Sequence, residues 1–270
     1  MTLEVLIPVR NPTEVFAKTI DSLAAQTDKN FAVLISDNFS TSGAEHLEAA
    51  LKKLSAAGIA ARKIGPPLEL ERVEHWNWLH YQATADWLKP LFAGDWLEPA
   101  YVARWRETVA AEPACRYVFT NGFIHFPGEE PRTFPNYWTG RFNAPVVMQE
   151  VVLRTGMQFG PPSTAAYERT AFIGLGGYAS TLPIVADSLL FCSLAARCGV
   201  AGIRETLFHM NIHAARFSTS LPGKQRDTFR ETMTYLYLLG YHAWTERDRF
   251  PVIGFLRQLA RETRNYFFRK

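Results

Sequence analysis

Three aspartates stand where apolar stretches of this chain end. Asp37 follows Phe31 to Ser36, Asp95 closes the segment that begins at Trp87, and Asp187 opens a run with helical spacing. A carboxylate so placed can hold a hard divalent cation, accept a hydrogen bond from a hydroxyl, or take a proton from one. Each acid also has a plainer use: Asp37 can start an Asx turn, Asp187 can cap its helix, and Asp95 can end a strand. Pro8, Arg10 and Asn11 form a fourth polar group at the end of the run Leu3 to Val9. Other motifs lead nowhere. Gly174 to Ala179 fits Gly-x-Gly-x-x-Ala, but it does not follow the first strand, Pro183 comes soon after, and no acid stands about 20 residues on. His209 and His213 are spaced i, i+4 in an extended-looking segment without the Glu of a His-Glu-x-x-His motif, so a zinc protease is not supported. Neither a phosphate-binding Gly-x-x-x-x-Gly-Lys-Ser/Thr loop nor a Gly-x-Ser-x-Gly elbow occurs.

The elements that must position these residues alternate. Strand-like runs at Leu3 to Val9, Phe31 to Ser36, Ile59 to Ile64, Trp87 to Phe92 and Tyr117 to Phe126 are separated by helical periodicities, which predicts a mostly parallel α/β sheet. Asn11-Pro12-Thr13-Glu14 has the composition of a helix start, with Asn11 as the cap. Gly58 stops the second helix, Val73 to Ala85 reads as the third and Pro99 to Ala111 as the fourth. Beyond an irregular stretch from Pro127 to Pro145 that holds Phe134, Tyr137, Trp138 and Phe142, helices are expected near Pro145 to Arg154 and from Asp187 to Cys198, and a strand at Ile203 to Ile212. In open sheets of this kind ligands sit beyond the carboxyl ends of the strands, which is where Pro8, Arg10, Asn11, Asp37 and Asp95 fall.

The whole chain has 270 residues, 47% of them apolar, enough for a large core. With 29 Lys plus Arg against 26 Asp plus Glu it lacks the basic excess of a nucleic-acid binder. Three cysteines make neither a disulfide framework nor a Cys-x-x-Cys pair, so a reducing, cytoplasmic location is expected. No apolar stretch reaches the ~18 residues of a membrane span. The division expected is a domain over 1–221 followed by a helical tail over 222–270. Residues 246–270 carry seven Lys or Arg against three acids, interleaved with Phe250, Ile253, Phe255, Leu256, Leu259, Tyr266, Phe267 and Phe268. Such a stripe suits packing on its own domain or on a second copy in a homodimer, and, as the second reading, peripheral contact with an anionic membrane at its inner face.

Val5-Leu6-Ile7-Pro8-Val9-Arg10-Asn11, Ser22-Leu23-Ala24-Ala25-Gln26-Thr27 and Val33-Leu34-Ile35-Ser36-Asp37-Asn38-Phe39-Ser40-Thr41 together resemble the opening of the family 2 glycosyltransferases, which have a GT-A type fold. The likeness extends through Trp76-Asn77, Trp87 to Pro99, Gly160-Pro161-Pro162-Ser163, Gly176-Gly177-Tyr178 and Ala186-Asp187-Ser188-Leu189 to His213 and Ser218, covering roughly residues 2–220. It implies an inverting, hexosyltransferase-like enzyme with a nucleotide-diphosphate sugar as donor, UDP-linked before GDP or dTDP. The acceptor implied is a saccharide or lipid-linked saccharide of surface polysaccharide assembly. By the same resemblance Asp187 is the catalytic base, and Asp95 with His213 holds Mg²⁺ or Mn²⁺. Asp37 contacts the nucleotide beside Pro8, Arg10 and Asn11, and Asn77 and Lys89 are further donor contacts. Arg216 is a candidate phosphate partner. The sequence departs from the family where Ala93 and Gly94 precede Asp95, where Ala186 stands before Asp187, and where no acid follows Thr41. Those losses keep a rival in play: a catalytically silent sugar-nucleotide or glycan-binding module. A nucleotidyltransferase would need a Gly- and Arg/Lys-rich loop after the first strand, which Asn11-Pro12-Thr13-Glu14 is not.

Overall fold

The computed structural model of the chain describes residues 1–134, 140–142, 161–212 and 224–245, together with 256, 257, 259–261, 263, 264 and 266 of the tail. The expected helix at Pro145 to Arg154 and the aromatic positions 137 and 138 lie outside the described residues.

The chain alternates as its periodicities predict, with one short strand, β5, that they do not: β1 (Leu3–Val9), α1 (Val15–Ala24), β2 (Ala32–Asp37), α2 (Ala44–Ala56), β3 (Ala60–Ile64), α3 (Arg72–Gln82), β4 (Trp87–Pro90), β5 (Trp96–Leu97), α4 (Tyr101–Ala111) and β6 (Tyr117–His125). There follow β7 (Arg132–Phe134), β8 (Gly140–Phe142), β9 (Ala165–Glu168), α5 (Arg169–Gly174), α6 (Ala186–Cys198), β10 (Val200–Asn211) and α7 (Lys224–Thr245). Among the described residues the strands form one sheet in the order β3-β2-β1-β4-β9-β6-β10-β5, with β7 on β6 and β8 on β10. β3, β2, β1 and β4 are mutually parallel, as are β6 and β10, whereas β9 runs antiparallel between β4 and β6. Strand order reverses at β1, so the crevice of the switch point opens beside the ends of β1, β2 and β4.

Both faces of this sheet are covered, which is why its central strands read as near-continuous apolar runs. Val5, Ile7, Val33 and Ile35 pack with Phe16, Ile20, Leu23, Leu47 and Trp105 on one face. Leu6, Leu34 and Leu88 pack with Trp76, Leu79, Phe191 and Leu194 on the other. Leu236 of α7 belongs to that second core and is 1% exposed. Tail residue Leu259 packs against the same cluster, and Tyr266 stacks on Phe229 with centroids 4.3 Å apart.

One expected element start moves. Asn11 does not cap α1, which begins at Val15 with no side-chain cap on Glu14. Asn11 instead takes a left-handed backbone (φ 49°), a conformation Asn adopts more readily than most residues, and gives its side chain to the loop after β2.

Candidate functional site

The loops after β1 and β2 are fastened to each other. The Asn11 amide donates to Ser40 Oγ at 2.7 Å, and Asn11 Oδ1 accepts from the amides of Thr41 (2.8 Å) and Ser42 (3.3 Å). Asn38 donates its amide to Val9 O, and its side chain both donates to and accepts from Leu70, tying the end of β2 to the entry of α3. Gly43 closes this wall at φ 81°, where a Cβ would lie 2.2 Å from Pro12 O. Asp37 accepts from the Ser40 amide (3.1 Å), the Asx turn its neighbours allow. Arg10 is exposed and paired with Glu69 at 2.6 Å. Pro8, Arg10, Asn11 and Asp37 are thus brought together at one edge of the crevice. Phe39, 49% exposed and also left-handed (φ 57°), projects from the same loop.

Behind this wall stands α3. Ser36 Oγ bonds His75 Nε2 at 2.7 Å, and burial holds His75 down to about 4 against the pull of Asp37. His80, deeper on α3, is likewise held to about 4 by burial and lies between Trp76 O (2.6 Å) and Tyr167 Oη (2.7 Å). Asn77 clamps the glycine turn: its Nδ2 donates to Tyr178 O and its Oδ1 accepts from Tyr178 N, both at 2.8 Å. That turn, with Gly176 and Gly177 both at φ 79°, ends α5 rather than opening a dinucleotide site.

Asp95 is fully buried below the crevice. Its Oδ2 accepts from Ser163 Oγ (2.8 Å) and its Oδ1 from the Asn211 amide (3.2 Å), while Thr19 receives the Gly94 amide and donates to Asp95 O, each at 2.8 Å. Lys89 lies in the interior next to it. Its ammonium donates to Ser163 O and Ala165 O, rests 4.7 Å from the Tyr101 ring centroid, and is pushed well below the usual lysine range by burial, which the charge of Asp95 opposes. Its side chain is 0% exposed, so in this arrangement it braces the Asp95 pocket and does not face the crevice.

Asp187 sits in the first turn of α6, half-buried, with its Oδ1 accepting from the Ser188 amide at 2.7 Å. Burial pushes its carboxyl up; that hydrogen bond and the charge of Arg72 pull it back. Arg72 opens α3, which starts from the carboxyl end of β3, so Asp187 is at the same end of the sheet as Asp37. His209 lies in extended β10 as its sequence suggests, bonded to Glu98 (2.6 Å) and His125 (2.9 Å) and stacked on Trp96. His213, Arg216 and Ser218 fall outside the described residues.

The arrangement has solved counterparts. The 1–349 fragment of S. aureus TarS in complex with UDP-GlcNAc superposes with a TM-score of 0.72 at 12% identity, over 99% of this chain and 73% of that one. Its complex with UDP gives 0.68 over 99% and 72%, again at 12% identity. The mannosyltransferase PcManGT from Pyrobaculum calidifontis, in complex with GDP-Man and Mn²⁺, gives 0.59 at 13% identity over 98% and 70%. This chain has the GT-A glycosyltransferase fold. No protein-family model matches the sequence, and no curated protein matches it. The likeness therefore lies in backbone architecture, and the expectation of a GT-A type sheet is met.

A divalent cation needs several oxygen ligands. Among the described residues no group of three or more His, Cys, Asp or Glu side chains is placed to hold one. Asp95 has the right donor type, but Ser163 and Asn211 already engage both its oxygens. The described residues alone do not make a cation site.

Sequence reasoning missed Arg72, His75, Asn211 and Glu231. Ser163 lay within the quoted Gly160 to Ser163 block and was open to notice; a glutamate on the tail helix carried no motif.

Proposed function

We propose that the chain is an inverting glycosyltransferase. It moves a sugar from a nucleotide-diphosphate donor, a UDP-sugar, to a hydroxyl of a saccharide or lipid-linked saccharide in surface polysaccharide assembly. The observation that carries this reading is the grouping of Asp37, the fastened loops and Asp187 at the carboxyl end of a GT-A sheet, the fold in which TarS was solved with UDP and UDP-GlcNAc. In this reading Asp37 and the Pro8 to Asn11 wall take the nucleotide, with Asn77 and Lys89 bracing the crevice from below.

Asp187 takes the proton of the acceptor hydroxyl as that oxygen bonds to the anomeric carbon. The bond from that carbon to the diphosphate breaks, and the diphosphate departs with the electron pair. Burial makes Asp187 a stronger base than a surface carboxylate, while Arg72 favours its ionised form, the balance a general base needs. The described residues do not by themselves fit Mg²⁺ or Mn²⁺, so Asp95 and His213 as its ligands rest on the family resemblance alone; a bound cation would neutralise charge on the leaving group. The three free cysteines fit a cytoplasmic setting.

The test is UDP-GlcNAc turnover with Mn²⁺. Asp187→Asn is expected to abolish turnover while donor binding persists; full turnover in that variant overturns the mechanism. The engagement of both Asp95 oxygens favours a second reading, a non-catalytic nucleotide-sugar-binding module. A wild-type chain that UDP stabilises against heat but that turns over no UDP-sugar would establish it.

A further inference from the structure

Glu231 comes from the helix that follows the described sheet, yet it is 1% exposed. Its Oε2 accepts from the amides of Ile184 (2.7 Å) and Val185 (3.3 Å), the two residues that lead into α6. Val185 is the residue at the helix start, and no side chain of its own segment caps it. Arg72 donates to Pro183 O, with its guanidinium 4.5 Å from the Trp76 ring centroid. A cation of α3 and an anion of α7 therefore grip three consecutive residues, 183 to 185, immediately before Ala186 and Asp187.

Holding two neutral amides does not require a charge. A buried carboxylate carries a desolvation cost that an amide oxygen would avoid, so its presence needs a partner. Arg72 is that partner electrostatically: burial lowers it to about 10, and Asp187 and Glu231 both oppose that fall. We propose that Glu231 and Arg72 are positioning residues for Asp187, so that α7 completes the catalytic site of the same chain; this rests on the reading of Asp187 as the base. Glu231 sets where α6 begins and hence where the carboxylate stands. Arg72 holds Pro183 and supplies the positive charge that keeps Asp187 ionised. Among the described residues, the other titratable groups that interact with Asp187 are the hydroxyls of Tyr178 and Tyr117, which burial pushes far up and which stay neutral at working pH.

The experiment uses the full chain with UDP-GlcNAc and Mn²⁺, measuring kcat, donor KM and the pH dependence of kcat. Glu231→Ala is expected to lower kcat by about tenfold or more with donor KM within about twofold, and Glu231→Gln, which still offers an oxygen to both amides, to recover most of it. Arg72→Gln is expected to move the acid limb of the kcat profile up by about one pH unit, and Arg72→Lys to bring it back. A purely structural contact would change neither the limb nor its rescue by lysine. If Glu231→Ala does not fold, the limb of Arg72→Gln decides alone. Unchanged kcat in Glu231→Ala with an unmoved limb in Arg72→Gln, where Asp187→Asn is inactive, overturns this inference and spares the base. Full activity in Asp187→Asn, or a wild-type chain without turnover, overturns both.

Discussion

Replacing Lys89 by methionine is the sharpest probe of how the Asp95 pocket is built. The ammonium donates to two buried carbonyls, Ser163 O and Ala165 O, lies over the Tyr101 ring, and faces the charge of Asp95. Methionine has nearly the same length but offers no donor. Each carbonyl that loses a charged donor costs about 1–3 kcal/mol, and the lost cation–π contact costs about 1–2 kcal/mol. The exchange of an ammonium for a thioether in an apolar interior returns part of that, since the desolvation of the cation disappears. The balance falls near the roughly 3–5 kcal/mol found when one partner of a buried pair is removed. Urea unfolding followed by fluorescence should show a midpoint lower by about 1–2 M at unchanged slope. The sign with pH is also fixed. Because burial depresses Lys89 below its unfolded value near 10.5, the unfolded state binds the extra proton, so wild-type stability gains from this residue as pH rises toward 10.5. Lys89→Met lacks that gain, so the gap between the two proteins should widen as pH rises toward 10.5. A loss below about 1 kcal/mol, or a gap that narrows with pH, would refute the buried-cation account.

Other expectations are more local. Gly177→Ala forces a Cβ to within 2.6 Å of Asn77 Oδ1 at φ 79°, whereas Gly176→Ala, at the same φ, meets nothing within 4 Å. The first should cost about 2–3 kcal/mol and the second about 1–2, and equal losses in thermal unfolding would mean the Asn77 clamp carries no energy. Phe39→Gly relieves a left-handed non-glycine backbone, so its stability should stay within about 1 kcal/mol of wild type; a larger loss would show that the exposed ring packs on the loop. His75 and His80, both held to about 4, must charge on unfolding below their ordinary value of 6.5. Stability should therefore fall between pH 6.5 and pH 5 by about 2 kcal/mol per histidine, with the raised carboxyl of Asp187 acting in the opposite sense; a flat urea-midpoint profile over that range would refute the assignment.

The sequence made the parallel half of the sheet legible because those strands are buried on both faces: Leu3 to Val9 was read to the residue. The antiparallel strand β9 was not read, because Ala165 to Glu168 is short and finds its place only between β4 and β6. Asn11 looked like a helix cap because its composition fits one; the competing use, bridging to Thr41 and Ser42, is invisible until two loops distant in sequence meet. Lys89 looked like a donor contact because it lies in the Trp87 to Pro99 block that resembles the family's. Its neighbours Ser163 and Asp95 give it a different use, and neither is close in sequence. The three acids were legible by position, but what tunes them was not: Arg72, His75 and Glu231 come from elements read only as amphipathic helices.

The enrolment of Leu236 and Glu231 in the main body has a consequence for synthesis. As the polypeptide leaves the ribosome, the sheet can close once β10 has emerged, but an oily notch on its second face and two amides ahead of α6 stay bare until the following helix arrives. A translation stall or proteolytic nick between Asn211 and Lys224 would leave that notch open to chaperones and to other unfinished chains.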